Sequence, residues 1–238
     1  MTSVLVKEGL DKDAIWHLGD PYAEQKKLLA GEAWVDLSHK SVLSIGGIDR
    51  LSWLQAITTQ DFENIKANDW VSGLILDALG HINHQFIAMD DGEITWLVIE
   101  SVKKDELIAF LEKMKFMLRV EVADRSSEFI LIRIPGKPDS IGGPFNLVKR
   151  DEIDFFKLAM NEFPQAGVWA YEAERVAAGR ARILLETDNR IIPNELNMLG
   201  KSVHLNKGCY PGQETVAKVK NLGKPPRRLT LLHLDGSE

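Results

Sequence analysis

Apolar and polar positions alternate along the chain with two periods, and the period marks each element. "RLSWLQAITTQ" repeats Leu51, Leu54 and Ile57 on one side, which predicts a helix capped by Asp49, with a buried stripe and Trp53 at its edge. Just before it, "EAWVDLSHKSVLSIGGIDR" holds two short apolar runs split by Ser38-His39-Lys40. They read as a strand pair closing in a glycine turn at Gly46-Gly47. From Trp70 to Glu100, "VSGLIL", "HINHQFIAM" and "EITWLVIE" are β-rich runs joined across Asp77-Ala78-Leu79-Gly80 and Asp90-Asp91-Gly92, and they predict a β-meander. Leu107, Ile108, Leu111 and Met114 then return to helical spacing, with lysines and glutamates opposite.

Further on, "LRVEVAD" alternates, "FILIRI" is another strand, and "PGKPDSIGGP" is a loop by its glycines and prolines. Ala170 to Gly179 reads as a helix stopping at its glycine. "PGQETVAKVKNLG" reads as another, with Pro211 in its first turn. Strands and helices mix without regular alternation, so the class is α+β with mainly antiparallel sheets and packed helices. After a stiff Pro225-Pro226 spacer, "RRLTLLHLDG" reads as a lone strand. The expected division is therefore residues 1–220 as the body and 221–238 as a linker with the first strand of a further β domain.

Composition narrows the functions. With 45% apolar and 27% charged residues the chain is globular, and its net charge of −6 argues against a large nucleic-acid interface. No run approaches the roughly 18 apolar residues of a membrane helix. The first residues also lack the order of a signal peptide, so a cytoplasmic protein with no membrane partner is expected. One cysteine excludes an intrachain disulfide and a multi-cysteine metal site. In "HINHQ" the two histidines fall on opposite faces of a strand, so no metal site is expected. The glycine turns "SIGGID" and "SIGGP" lack a following P-loop lysine.

The lone cysteine sits in "HLNKGCYPGQET". Cys209 precedes the predicted helix start, whose free amides and dipole favour a thiolate, and Lys207 adds a nearby cation. Gly208 and Gly212 permit close backbone approach. Two readings stay open: a reactive thiol, or a small buried apolar residue. A nucleophile also wants a histidine base, for which His204 and His81 are the candidates.

"KGCYPGQE" resembles the signature of the YgfZ family of folate-binding proteins, relatives of the aminomethyltransferase (T protein) of the glycine cleavage system. "GDPYAEQKKLLAGEAWVDLSHKSVLSIGGIDRLSWLQAITTQD" resembles the superfamily's N-terminal block, and "ERVAAGRARI" with "IIPNELN" resembles its Arg-x-x-x-Gly and Pro-x-x-x-Asn segments. The likeness covers nearly the whole chain. It implies an α+β folate-binding domain of the aminomethyltransferase type, followed in the family by a C-terminal β-barrel. It further implies a channel for tetrahydrofolate or another reduced folate, and work on iron–sulfur proteins or with their assembly machinery.

The family motif maps onto Lys207, Gly208, Cys209, Tyr210, Gly212, Gln213 and Glu214. By resemblance Cys209 and Lys207 are the candidate reactive groups, and Tyr210, Gly212, Gln213 and Glu214 stand beside the folate. Glu195 matches the position where T proteins set a carboxylate on the pterin, and such a carboxylate accepts an exocyclic amine and a ring N–H in one fork. Arg175 either faces the folate's glutamate tail or forms a structural ion pair. Trp53, Trp70 and Trp96 read as core rather than stacking platforms.

Departures from T proteins weigh against aminomethyl transfer. Glu100-Ser101 stands where they carry an asparagine pair followed by an acid, Asp105 matches that acid only loosely, and Ala177 replaces a glutamate. The leading expectation is a tetrahydrofolate-binding accessory protein of iron–sulfur cluster biosynthesis or repair. The alternatives are a folate-dependent aminomethyltransferase and a non-enzymatic folate-binding scaffold or sensor. Turnover is left open.

Overall fold

A computed structural model describes residues 3–233. The chain begins with a two-stranded ribbon, β1 (Val4–Leu5) and β2 (Ile15–His17), then α1 (Pro21–Ala30), whose N-terminus is capped by the Asp20 side chain on the Ala23 amide. β3 (Trp34–Asp36), β4 (Ser41–Gly46) and α2 (Arg50–Ile57) follow. The meander forms as expected: β5 (Trp70–Leu76), β6 (Ile82–Asp90) and β7 (Thr95–Ile99) pair antiparallel in sequence order. Next come α3 (Lys104–Met114), β8 (Glu121–Asp124), β9 (Phe129–Arg133), β10 (Phe145–Lys149) and α4 (Ile153–Ala159). The last elements are β11 (Gln165–Ala166), α5 (Val168–Ala177), a 3-10 turn at Pro193–Leu196 and α6 (Gln213–Leu222).

Among the described residues, two larger sheets carry the fold. One is five-stranded in the order β5-β6-β7-β4-β8, the other four-stranded in the order β10-β9-β3-β11. Within these two sheets only the pairing of β11 with β3 is parallel. Period-two alternation assigns the faces. Leu43 and Leu97 point into a core with Trp53, Leu54, Leu107 and Leu111 of α2 and α3, while Val42 and Val98 point the other way, into a second core with Val35 and Leu131 of the four-stranded sheet. α4 covers the far face of that sheet through Phe156 against Trp34 and Ile132. A third core joins Leu74 and Ile82 of the meander to Ile183, Leu196, Tyr210 and Val216, and fastens the C-terminal third to β5 and β6.

The expected strand pair of residues 32–50 does not form. β3 and β4 lie in different sheets, because the residues between them are tied elsewhere: Lys40 to Glu100, and the His39 carbonyl to the Ser101 hydroxyl. Asp49 precedes α2 without capping it. Its carboxylate instead takes the Arg119 guanidinium at 2.8 and 3.0 Å and the Arg119 amide at 2.8 Å. Trp53 is core rather than edge, 3% exposed, and its indole donates to the Met114 carbonyl.

Near the C-terminus, Gly212 (φ 77°) sets the start of α6 at Gln213, so Pro211 lies ahead of the helix rather than in its first turn. α6 runs through residue 220 to Leu222, so the expected body boundary falls inside one helix. Arg227 to His233 forms no strand, because the Arg227 side chain and the Leu229 amide are held by Glu195; the remainder of the expected strand, residues 234–236, lies outside the described residues.

Gly47 holds φ 102° against the Arg119 carbonyl, leaving no space for a Cβ. Gly47→Ala is expected to lower the unfolding free energy by about 2 kcal/mol or more. An unchanged urea midpoint and slope would refute this packing.

Candidate functional site

The cavity lies where the 179–202 segment crosses β6 and β7. It encloses about 130 Å³, room for a ring system given that one water needs roughly 10–15 Å³. Phe86, Ile99, Leu131 and Met198 supply apolar wall, and Lys40, Glu100, Glu172, Arg175, Arg182 and Lys201 supply charge.

Arg182 organises that charge. It gives Glu100 bonds of 2.9 and 2.8 Å and Asp11 bonds of 2.9 and 2.6 Å, and lies 3.1 Å from Glu172. Lys40 reaches Glu100 at 2.6 Å, and His39 lies 2.9 Å from Asp11. Burial alone raises the Glu100 pKa, but Lys40 and Arg182 outweigh it and hold the carboxyl down to about 2. Asp11 is likewise held well below its ordinary range, with His39 and Arg182 outweighing its burial. Arg175 lines the cavity and is also engaged in ion pairs: it bonds Glu172 at 2.8 Å, Glu186 at 3.0 and 3.1 Å, and the Arg180 carbonyl at 2.7 Å.

The cysteine loop is a separate device, and none of residues 207–214 lines this cavity. The Lys207 ammonium donates to the carbonyls of Gln55, Thr58 and Gln60 at 2.5, 2.6 and 2.9 Å, at the C-terminal end of α2. Those carbonyls have no further helical turn to bond, and only a three-donor cation answers all of them. Burial pushes this ammonium down to about 8, with Asp61 and Glu63 pulling the other way. Lys207 is therefore a strut directed into the body, not a partner of the sulfur. Tyr210 is buried in the third core, its ring 5.3 Å from the Lys207 nitrogen. Gly212 packs on the β5–β6 turn, where an added Cβ would meet the Asp77 carbonyl at 2.5 Å and the Gly80 Cα at 2.7 Å. Gly208 has open space. Gln213 and Glu214 begin α6. Between these anchors Cys209 is exposed, which removes the buried apolar reading.

Neither candidate base hydrogen-bonds the sulfur. His81 Nδ1 pairs with Asp77 Oδ2 at 2.8 Å on the turn that Gly212 packs against, and His204 Nδ1 lies 3.9 Å from Asp61 Oδ2. Glu195, only 2% exposed, carries the Arg227 guanidinium on both oxygens, each at 3.1 Å; it is not in the cavity wall, although Leu196, Asn197 and Met198 are. Arg182, Lys40, Asp11 and Arg227 escaped the sequence reading. Glu100 was visible only as a departure from T proteins, and Asp11 sits in a polar arm with no periodic signal.

No family model matches the chain. A tRNA-modifying protein YgfZ of Colwellia psychrerythraea is 24% identical over 233 residues, covering 84% of this chain and 71% of that protein. A mitochondrial iron–sulfur cluster assembly factor IBA57 homolog of Mycosarcoma maydis is 22% identical over 223 residues, covering 82% of this chain and 55% of the relative. The solved glycine cleavage system aminomethyltransferase T of Bartonella henselae superimposes with a TM-score of 0.73 at 14% identity, over 93% of this chain and 72% of that one. At low identity, the chain is similar in sequence to YgfZ and IBA57 proteins and similar in fold to an aminomethyltransferase. The expected fold class stands: an α+β domain of the aminomethyltransferase type. The chain spans about half the length of the Mycosarcoma relative.

Two outcomes follow from these contacts. Lys207→Met leaves three carbonyls without their donor and is expected to cost about 2–4 kcal/mol in urea unfolding; a change under about 0.5 kcal/mol would remove the strut. Glu100 has a folded pKa of about 2 against an ordinary 4.5. The unfolded state therefore binds the extra proton between these values, and its stabilising share is complete above pH 4.5 and lost as the pH falls through 2. Relative to Glu100→Gln, the native protein should lose about 3 kcal/mol between about pH 5 and pH 2. Parallel pH profiles for the two proteins would count against the network.

Proposed function

We propose that the chain binds a reduced folate of the tetrahydrofolate type in the cavity beside β6 and β7 and serves iron–sulfur cluster biosynthesis or repair as an accessory protein. Support comes from the aminomethyltransferase-like fold and from relatives whose names carry iron–sulfur assembly and tRNA modification. The donor set fits such a ligand. Phe86, Ile99, Leu131 and Met198 offer wall to a flat ring, and Lys201 is exposed and without an ion pair among the described residues, open to a carboxylate tail. Glu195, outside the cavity wall but next in sequence to the lining residue Leu196, is the proposed pterin anchor at the cavity's edge. A bound folate supplies one-carbon chemistry; the chain's own residues bind it, orient it and exclude water.

One observation favours this reading over aminomethyl transfer. Glu100 and Glu172 on the cavity wall are both committed to Arg182 and its neighbours, and Asp105 is exposed on α3, so the cavity presents no free carboxylate to move a proton. Cys209, held out by Lys207, Tyr210 and Gly212, is the proposed thiol through which the protein meets its iron–sulfur clients. Among the described residues no helix is long and apolar enough to cross a membrane. Cytoplasmic location remains an expectation, as does a further β domain after α6.

Calorimetric titration with tetrahydrofolate is expected to show one saturable site, weakened about tenfold by Lys201→Glu. In the source cell, Cys209→Ser should lower an iron–sulfur dehydratase activity while glycine cleavage persists. Loss of glycine cleavage alone would favour the aminomethyltransferase, and no loss of either would favour a scaffold.

A further inference from the structure

Glu195 is nearly fully buried, and both of its oxygens are taken by a residue 32 positions downstream. Arg227 Nε donates to Oε1 and Nη2 to Oε2, each at 3.1 Å, while the Leu229 amide donates to the Glu195 carbonyl at 2.8 Å. The same guanidinium reaches the Arg190 carbonyl at 3.3 Å and lies 3.6 Å from Asp188. The surroundings of this segment are unlike those of a core element. Arg227 is 45% exposed, Pro225-Pro226 precedes it, no strand forms around it, and Leu229 packs only on the rim of the third core.

A guanidinium edge and the amino-pyrimidinone edge of a pterin present the same two parallel N–H donors to a carboxylate. One fork cannot accept both. We infer that the segment 224–229 is an internal plug: Arg227 occupies the Glu195 fork in the free protein and is displaced when a ligand with an amidine-like edge binds. The inference rests on the pterin role proposed for Glu195. The plug stays reversible because the Arg227 side chain is already 45% exposed and gains solvent on leaving, while the Glu195 carboxylate passes from one pair of donors to another without being left buried and unpaired. Ligand affinity is then reduced by the fraction of molecules with the plug closed, and binding frees residues 224–229 as a readable signal of occupancy.

The test compares wild type with Arg227→Ala, a substitution outside the cores, by titration with tetrahydrofolate and by hydrogen exchange at the Leu229 amide. The plug predicts roughly tenfold tighter binding by Arg227→Ala. It also predicts Leu229 exchange that accelerates in wild type on saturation and is already fast in the ligand-free variant. Equal affinities in the two proteins, with Leu229 still protected in the saturated wild type, overturn the plug and leave the folate reading standing. Weaker binding by the variant overturns it by making Arg227 part of the ligand site. Absence of tetrahydrofolate binding by both proteins overturns the plug together with the folate reading.

Discussion

A single guanidinium, that of Arg182, stands where three parts of the chain converge. It joins Asp11 of the N-terminal arm, Glu100 at the end of β7 and Glu172 of α5, each far from the others in sequence. Charges this well buried are expensive to desolvate, and the arrangement is tolerable only because every member has an opposite partner at hydrogen-bonding distance. Such a network contributes more to registry than to net stability. It forces the arm, the five-stranded sheet and the 168–186 segment into one relative position, and the cavity is the space left between them.

The cysteine loop uses the opposite economy. Lys207, Tyr210 and Gly212 all face inward, onto carbonyls, an apolar core and a turn, and their combined effect is to hold one exposed side chain at a fixed place. Most of the signature is thus concerned with backbone placement rather than with touching a ligand. A compact motif in a sequence need not be a compact site in space.

Local signals were the legible part of the chain. Asp-Gly and Gly turns between alternating runs revealed the meander, apolar spacing revealed α2 and α3, and a closing glycine marked α5 and α6, because neighbouring residues carry those signals. The adjacent strands β3 and β4 were misread as a pair because nothing local distinguishes a hairpin turn from a crossover; Lys40 chooses the crossover through Glu100, 60 residues away. The same limit hid the site. Arg182 and Arg227 look like ordinary surface arginines until tertiary structure supplies their carboxylates, and the Lys207 ammonium read as a neighbour of the thiol because sequence distance does not say which way a long side chain turns.

The position of β4 also shapes how the protein is made. Its two edges are satisfied by β7 and β8, at residues 95–99 and 121–124, so a chain emerging from the ribosome carries an apolar strand whose first edge stays open for about 50 further residues and whose second stays open for about 80. The cost of closing such long loops falls early and the reward comes late, which makes this sheet slow to complete and sensitive to any pause in synthesis before residue 124.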